Sequence, residues 1–457
     1  MAGASVHGHW SGRLAFMFAA IGSAVGLGNI WRFPYVTGTS GGGAFVLIYI
    51  ACLALVALPI LIAEIAIGRK GQRSAVNSFR DVAKAEGRSE LWRYVGWLGV
   101  IAAFMLLTFY SVIAGWAMSY FTDTVMGNLT AISESTSAPR FNALLADPLR
   151  LAIWHGIFMG ITVFIVARGI QGGLEKAVTF MMPALFAILA FLVVYSAING
   201  DFMAGVKFMF AVDFSKITTK VVIAAVGQAF FSLSLASGIM ATYGAYLPRD
   251  VNIPRAAVII TLADTGVALL AGLAIFPLVF LHGLAPASGP GLIFVTLPLA
   301  FADMTGGMIF GGLFFLLLVF AALTSSISLL EPIVSYLEEH HGWKRARMAM
   351  VSGFICWTIG LTTVLSFNVL KGYNPLGMFA QFQGKTIFAL TDYTVSNIML
   401  PVGGLLIAIF AGWFVGKKTL SVELDWHDGV LFEIWRLLLR VVAPIALIVV
   451  FYNLITS

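Results

Sequence analysis

The sequence predicts an all-α protein that crosses a membrane many times, and three features of the chain support this fold class. Of its 457 residues, 60% are hydrophobic and only 11% are charged, whereas about 25% charged residues are typical of soluble domains. The two cysteines, Cys52 and Cys356, both lie in apolar stretches, which argues against a disulfide framework or a CxxC metal site. Long segments that alternate apolar and polar residues are absent, so a helical bundle is favoured over a barrel. The composition therefore excludes a secreted disulfide scaffold, a disordered chain and a soluble nucleic-acid-binding protein.

Membrane spans can be placed by length, because about 20 helical residues cross a hydrocarbon core about 30 Å thick. This measure predicts eleven spans, at 14–36, 43–68, 94–122, 151–168, 174–197, 220–246, 254–281, 308–338, 347–366, 386–414 and 430–454. The first ten divide into two five-helix halves, 14–198 and 220–414, and the span at 430–454 is an extra helix.

The distribution of Lys and Arg between the loops predicts the orientation of the chain. Nineteen lie on the side that carries the amino terminus and seven on the opposite side, while Arg32 lies within the first span and completes the 27 basic residues. Basic residues collect on cytoplasmic loops, so we expect the amino terminus inside. An odd number of spans then places the carboxyl terminus outside, in a multi-pass protein of the cell inner (plasma) membrane.

Two spans contain segments that disfavour a continuous helix. The first span carries GSAVGLGN at residues 22–29, and the sixth carries SLSLASG at residues 232–238. Each glycine costs a helix about 1 kcal/mol relative to alanine. The alternative for either segment alone is close helix packing through small residues, since Gly22 and Gly26 have GxxxG spacing. Interruptions at corresponding places of two halves, however, indicate a transporter site near the middle of the membrane.

Charged and hydroxyl side chains within the spans are candidate functional groups, because a charge at the bilayer centre costs at least about 2.5–3.5 kcal/mol. Asp264 has no basic residue within a helical turn or two, so it is either a cation ligand or an unpaired protonated acid. Thr324, Ser325 and Ser326 are adjacent hydroxyls. Such groups often bond back to their own helix, but they also supply the oxygen atoms that a hard cation prefers. The other charged candidates are Arg32, Glu64, Glu331 and Asp392.

Four motifs resemble the neurotransmitter:sodium symporter family, in its bacterial amino-acid transporter branch. They are GSAVGLGNIWRFP at 22–34, GGGAF at 41–45, GQAFFSLSL at 227–235 and LTSSI at 323–327. Gly173 and Pro183, with nine residues between them, match a further family pattern. The resemblance implies a single membrane transport domain over 1–457, built from two inverted five-helix repeats whose first and sixth helices are broken. The twelfth span that is usual in the family is missing.

The resemblance also implies two sodium sites, a substrate site and two gates. The first sodium site would use Ala24, Asn29, Ser232 and Asp264. The second would use Gly22, Val25, Ala321, Thr324 and Ser325. The substrate would contact Ala24, Leu27, Gly28, Leu106, Tyr110, Phe231, Ser232, Ser234, Ser237, Ser325 and Leu329. The outer gate would be Arg32 facing Asp392, under a lid of Tyr110 and Phe231. The inner gate would be His7, Tyr246 and Glu339.

Three positions depart from the family pattern. Asp264 stands where the first sodium site usually has Asn, so we expect its fixed negative charge to replace the chloride that some relatives bind. Ser237 and Ala236 stand where the pocket commonly has Phe and Gly, and the loss of a phenyl ring predicts space for bulky neutral side chains. His7 replaces an arginine of the inner gate, and a histidine titrates near neutrality, which predicts a weaker, pH-sensitive gate. Gly26 replaces the Asp of monoamine carriers, which favours an amino-acid substrate.

The resulting prediction is a symporter that couples two sodium ions to the import of neutral, hydrophobic or aromatic amino acids by alternating access, without chloride. The alternative is a sodium-dependent amino-acid receptor or a channel-like protein on the same helices. An enzyme is not expected, because the sequence shows no nucleophile–base pair or set of metal ligands. The expected partners are the substrate and the lipid bilayer, and no nucleic acid. The preferred amino acid, sodium stoichiometry, proton antiport and oligomeric state stay open.

Overall fold

Helices form throughout the computed structural model of the chain, which describes residues 10–129, 132–286, 291–302, 304, 306–379, 382–426 and 429–456. The continuous long apolar helices are Gly43–Gly71, Glu90–Val125, Pro148–Ala167, Ile170–Asn199, Ile253–Leu281, Gly307–His340, Arg345–Leu365, Ile387–Phe414 and Val430–Asn453. Shorter helices connect them at Ala75–Ala85, Glu134–Ala146, Phe202–Phe210, Leu292–Ala302 and Lys417–Leu424. No strand occurs in these described ranges, and the all-helical fold class is therefore confirmed.

Both predicted interruptions occur within helical spans. The first span consists of Arg13–Ala24 and Gly28–Thr39, with a bend of 43° between them. The sixth consists of Thr219–Ser232 and Ile239–Ala245. Within the described residues, nine helices, or ten with the bent first pair, are long and apolar enough to cross a membrane. The sixth span is not among them, because its break divides it into two shorter helices. The count of eleven spans therefore stays a prediction, as do the inverted repeats.

The backbone is strained at the break in the sixth span. Ser234 has φ +51°, Ala236 has φ +58° and Gly238 has φ +72°. A non-glycine residue in this left-handed region costs about 1–2 kcal/mol, so neighbouring contacts must stabilise it. Glu64 of the second span provides one, because its Oε2 accepts a hydrogen bond from the backbone N–H of Ala236 at 2.9 Å.

Close packing brings the second span against the second half of the sixth, Ile239–Ala245. A Cβ atom added to Gly68 would overlap the carbonyl oxygen of Ala241, so only glycine permits this approach. The segment Gly22–Asn29 is buried throughout, and the eighth span, Gly307–His341, packs against the first and third spans. The two breaks therefore lie inside the bundle, where water does not reach their peptide groups and protein groups must bind them.

Candidate functional site

The break in the first span exposes peptide groups that side chains from other spans bind. The N–H of Leu27 donates to the hydroxyl of Tyr110 at 3.1 Å, and the N–H of Gly26 donates to Asn29 Oδ1 at 3.0 Å. Gln228 of the sixth span donates its Nε2 to the carbonyl of Gly28 at 2.8 Å. Polar contacts from spans three and six therefore surround the first break.

The second break lies directly against the first. The Ser234 hydroxyl, in the unwound part of the sixth span, donates to the carbonyl of Ser23 at 3.1 Å. A Cβ atom added to Gly28 would lie 2.9 Å from the ring of Phe231, the residue before the end of the outer half of that span. The two interrupted segments therefore form one site.

One cluster of oxygen atoms joins spans one, six and seven. Asn29 donates its Nδ2 to Asp264 Oδ1 at 2.7 Å and to Ser232 Oγ at 3.1 Å. The Ser232 hydroxyl donates to Asp264 Oδ2 at 2.6 Å, and Tyr49 OH lies 3.4 Å from the same oxygen. The structure thus brings together three of the residues predicted for the first sodium site. The fourth, Ala24, lines the adjoining cavity.

Asp264 is fully buried, and among the described residues its side-chain partners are all neutral. A buried carboxylate without a cationic partner is unfavourable unless a cation binds or the group is neutralised. The single carboxylate suits a monovalent cation, because one negative charge then balances one positive charge. In this arrangement Asn29 turns its amide nitrogen to Asp264 and its Oδ1 to the N–H of Gly26.

A second cluster of oxygen atoms joins the eighth span to the first break. The Thr324 hydroxyl contacts the carbonyls of Ala321 at 3.0 Å and Val25 at 3.4 Å. The Ser325 hydroxyl lies 3.4 Å from the carbonyl of Gly22 and 3.5 Å from that of Val25. All five residues predicted for the second sodium site therefore lie together. Unwound carbonyls with hydroxyls are the ligands that broken transporter helices offer to Na⁺.

A narrow cavity lies between the two clusters. Only about 20 Å³ of it is open to the centre of a water molecule, about the space of a single water. Its lining comprises Ser23, Ala24, Gly26, Gly28, Leu106, Tyr110, Phe231, Ser234, Ser237, Ser325, Leu329 and Leu400. Nine of the eleven predicted substrate residues line this cavity. The other two, Leu27 and Ser232, border it through the backbone N–H that contacts Tyr110 and through the Asp264 cluster, respectively.

Three lining residues lie outside the predicted substrate set: Gly26, which the sequence singled out only by its contrast with monoamine carriers, and Ser23 and Leu400, which were missed. Ser23 lies beside the break, near the end of the helix Arg13–Ala24. Leu400 comes from the tenth span, where it precedes a proline in an apolar run that carries no signal of a binding site. Gly26 allows Ser325 and Tyr110 to lie close to the first break, because a Cβ atom at this position would overlap Ser325 Oγ and lie 2.8 Å from Tyr110 OH.

The predicted outer-gate residues Arg32 and Asp392 are joined through a bridging side chain rather than by a direct ion pair. Arg32 Nη1 donates to Ser396 Oγ at 3.2 Å, and Ser396 Oγ donates to Asp392 Oδ1 at 2.9 Å. The Arg32 guanidinium also lies 4.3 Å from the centre of the Phe231 ring, within the range of a cation–π contact. Ser396, one helical turn after Asp392, is a member of this bridge that the sequence interpretation missed.

At the opposite end, the predicted inner-gate residues contact different partners. The Tyr246 hydroxyl donates to Glu331 Oε1 at 2.9 Å, and Glu331 forms an ion pair with Arg345. His7, predicted to pair with Glu339, lies outside the described residues. In the described part of the chain, the predicted inner-gate residues Tyr246 and Glu339 therefore belong to separate contacts.

Glu339 contacts the start of the helix Ala75–Ala85. Its Oε1 accepts the backbone N–H of Ser74 at 2.7 Å, and its Oε2 accepts the Ser74 hydroxyl at 2.7 Å and the Asn77 amide. A carboxylate at this position binds the N–H groups that a helix start leaves unpaired. The eighth span is thereby attached to the loop after the second span.

Comparison with known proteins gives consistent results over nearly the whole chain. The model of the Sodium:neurotransmitter symporter family matches residues 7–139 and 146–457. The "Uncharacterized sodium-dependent transporter YhdH" of Bacillus subtilis (strain 168) is 40% identical over 98% of this chain and 97% of its own length. An uncharacterized sodium-dependent transporter of Haemophilus influenzae is 34% identical, over 97% of each chain.

A solved structure extends the similarity to the fold. The crystal structure of MhsT in complex with L-phenylalanine aligns with a TM-score of 0.91 and 41% identity, covering 98% of this chain and 99% of that one. Three of the four motifs that suggested the family, those at 22–34, 227–235 and 323–327, lie at the two breaks and the two oxygen clusters described above. The chain therefore belongs to the sodium:neurotransmitter symporter family, in its bacterial branch.

Proposed function

We propose that this protein is a sodium-coupled symporter that imports neutral amino acids with hydrophobic or aromatic side chains by alternating access. The observation that carries this proposal is the placement of two oxygen clusters on either side of one cavity at the two helix breaks. The cluster around Asp264 and the cluster around Thr324 and Ser325 would each bind one sodium ion as co-transported substrate. Family membership and the sodium-dependent relatives support the coupling ion.

The proposed substrate is a zwitterion, whose two charged groups would meet complementary ends of the cavity. Its carboxylate would lie at the N–H groups of Leu27 and Gly28 with the hydroxyl of Tyr110, because the start of a half-helix attracts an anion. Its amine would meet the carbonyls of Ala24, Phe231 and Ser232. Gly26 leaves no side-chain carboxylate in the cavity lining, so the carboxylate that meets Leu27 and Gly28 would come from the substrate, which favours an amino acid.

The preference for bulky side chains rests on the wall around Ser237. Its hydroxyl donates to the carbonyl of Ser234, and the apolar part of the lining includes Leu106, Phe231, Leu329 and Leu400. The narrow cavity would widen to admit a large side chain. The similar protein MhsT was solved in complex with L-phenylalanine, which supports an aromatic substrate for this chain.

Two sodium ions would supply enough energy for accumulation. Each ion gains about 2.3 kcal/mol from a potential of 100 mV and about 1.4 kcal/mol from a tenfold gradient. Two ions therefore give about 7 kcal/mol, which corresponds to about five decades of concentration for a neutral zwitterion at full coupling.

The gates suggest an order of events. Binding from outside would close Phe231 and Arg32 over the substrate and draw Ser396 and Asp392 into the bridge. Release inward would begin at the second sodium site, because its ligands join the eighth span to the broken first span and their separation would open the inner path.

Chloride independence is proposed from the buried carboxylate of Asp264. Tyr49, Gln228 and Ser232 match the chloride ligands of chloride-dependent relatives, but two of them, Tyr49 and Ser232, here contact the Asp264 carboxylate. A fixed negative charge at this place would repel a second anion. Transport that collapses when chloride is replaced by gluconate would contradict this part of the proposal.

Counterflow in proteoliposomes tests the function directly. Vesicles loaded with unlabelled phenylalanine should accumulate labelled phenylalanine when sodium is present and not when potassium replaces it. A panel of twenty amino acids competing with the label would define the substrate class. Sodium-dependent binding without counterflow would instead indicate a receptor, and an uncoupled sodium current would indicate a channel-like protein.

A further inference from the structure

The fourth and ninth spans pack side by side in opposite directions and bring two groups of basic residues together. Arg345 Nε, at the start of the ninth span, donates to the carbonyl of Val166 at 3.0 Å, near the end of the fourth. Further along, Trp357 Nε1 contacts the carbonyl of Ala152 at 3.5 Å. Arg168 and the segment 343–347 therefore meet at one end of the bundle, the end that the charge distribution predicts to be cytoplasmic.

Three exposed cations at this place form no ion pair with any residue that the structure describes. They are Arg168, Lys344 and Arg347. The guanidinium of Arg168 lies 3.9 Å from the centre of the Phe164 ring, and that of Arg347 lies 4.2 Å from the Trp343 ring. We call these five residues the basic corner.

The two carboxylates that pair with Arg345 are already engaged and do not neutralise the basic corner. Glu331 and Glu338 both form ion pairs with Arg345, the latter at 3.3 Å. Arg345 itself is largely covered, whereas its neighbours Lys344 and Arg347 are exposed. The net charge presented to the surroundings is therefore positive.

An apolar surface continues from the basic corner along both helices. Phe164 is 57% exposed and Phe354 is 65% exposed, although both are large hydrophobic side chains. Further exposed apolar residues on the two spans are Ile153, Ile157, Met350, Val351 and Ile355. This surface belongs to two membrane spans, so hydrocarbon rather than water is the solvent expected against it.

We propose that the basic corner binds the phosphate of an anionic phospholipid, whose acyl chains lie along the apolar surface of the fourth and ninth spans. Charge complementarity selects this occupant, because three exposed cations that form no ion pair with the described residues lie at the ends of two apolar spans, where lipid headgroups are expected. Arginine guanidinium groups bind phosphate oxygens through paired hydrogen bonds, and basic pockets between spans on the cytoplasmic side suit acidic headgroups. A zwitterionic lipid carries a compensating cation and would bind more weakly.

Native mass spectrometry of the full-length protein in detergent tests the proposal. Phosphatidylglycerol should remain bound, and phosphatidylcholine with the same acyl chains should bind at least tenfold more weakly. The double variant Arg168→Gln with Arg347→Gln should lose at least tenfold of the affinity for phosphatidylglycerol. The pair Arg88→Gln with Arg93→Gln is the matched control, because both are exposed arginines over aromatic rings elsewhere, and it should bind within twofold of wild type.

Several results would overturn the proposal. They are equal binding of both lipids, an equal loss of phosphatidylglycerol affinity in the control pair, and unchanged phosphatidylglycerol affinity in the double variant. Displacement of the lipid by millimolar glycerol phosphate would also overturn it. Disulfide cross-linking of Phe354→Cys between two copies with no lipid bound would assign this face to a dimer instead. Should the double variant fail to fold, the Arg168→Lys and Arg347→Lys pair, which keeps the charge but not the paired hydrogen bonds, should show intermediate affinity.

Discussion

The side-chain amide of Asn29 donates two hydrogen bonds to Asp264, one to the carboxylate Oδ1 at 2.7 Å and one to the backbone carbonyl at 3.0 Å. The same amide reaches Ser232 at 3.1 Å. A single side chain at the first break therefore links the broken first span to the sixth and seventh spans. Any cation bound at Asp264 would be coupled to the arrangement of all three.

Replacing Asp264 with Asn should weaken sodium binding and make transport respond to chloride. The substitution keeps the shape but removes the charge that balances the cation, so we expect at least about a tenfold higher half-saturating sodium concentration, equivalent to about 1.4 kcal/mol. Sodium titrations of uptake in chloride and in gluconate would measure both effects.

Asp213→Asn is the control for that experiment, because Asp213 lies in an exposed loop, where hydrogen bonds from Ser215 lower the pKa of its carboxyl. This control should keep the wild-type sodium response. A normal sodium response in Asp264→Asn, with no stimulation by chloride, would contradict the assigned role of Asp264.

Ser325→Ala should reduce sodium affinity, whereas Ser326→Ala should not. Ser325 Oγ points to the carbonyls of Gly22 and Val25, while Ser326 Oγ bonds to Leu323 of its own helix and to Thr162. Both hydroxyls are buried. A comparison of the two variants therefore distinguishes the loss of a sodium ligand from the loss of a structural hydrogen bond, which is worth about 1 kcal/mol.

Binding of labelled substrate at graded sodium concentrations would compare the two variants. We expect at least about a tenfold higher sodium requirement for Ser325→Ala, and a change within twofold for Ser326→Ala. Equal effects of the two substitutions would argue against a sodium ion at the second cluster.

The positions of both helix breaks could be predicted from the sequence, because glycine and serine are concentrated in one short mid-span segment of each, at 22–29 and 232–238. The family motifs then led to Asn29, Thr324 and Ser325, and the structure brings these together with their expected partners. Local composition was sufficient for these features because each break is defined by its own residues.

The gates could not be predicted in the same way, because their geometry depends on distant side chains. Arg32 and Asp392 are separated by Ser396, whose hydroxyl has no signal that distinguishes it from the many serines in membrane helices. Tyr246 contacts Glu331 because Arg345 keeps that carboxylate at the inner end of the eighth span. Which of two nearby acids a tyrosine contacts depends on how whole spans pack against each other. The sequence pattern does not contain that information.

Ser396→Ala should loosen the outer closure without removing either charge. Its hydroxyl accepts a hydrogen bond from Arg32 and donates one to Asp392, so its loss removes this bridge between the two charges. We expect a several-fold higher KM for substrate with a smaller change in maximal rate, because the closed outer state is less favoured. Thr391→Ala, which removes only a bond to the carbonyl of Ile387 in the same helix, is the control, and uptake kinetics measure both.

Ser237→Phe should convert the protein to one that prefers small amino acids. A phenyl ring at this position would fill the space beside Leu106 and Leu329, and overfilling a packed site costs about 1–3 kcal/mol. We therefore expect phenylalanine and other bulky competitors to lose about tenfold or more in affinity, while alanine and glycine compete as well as before or better. Ser237→Ala is the control, because it removes the hydrogen bond to Ser234 without adding volume, and it should keep the wild-type order of preference. A competition panel against one labelled amino acid gives the result, and an unchanged preference for aromatic competitors in Ser237→Phe would place the side-chain pocket elsewhere.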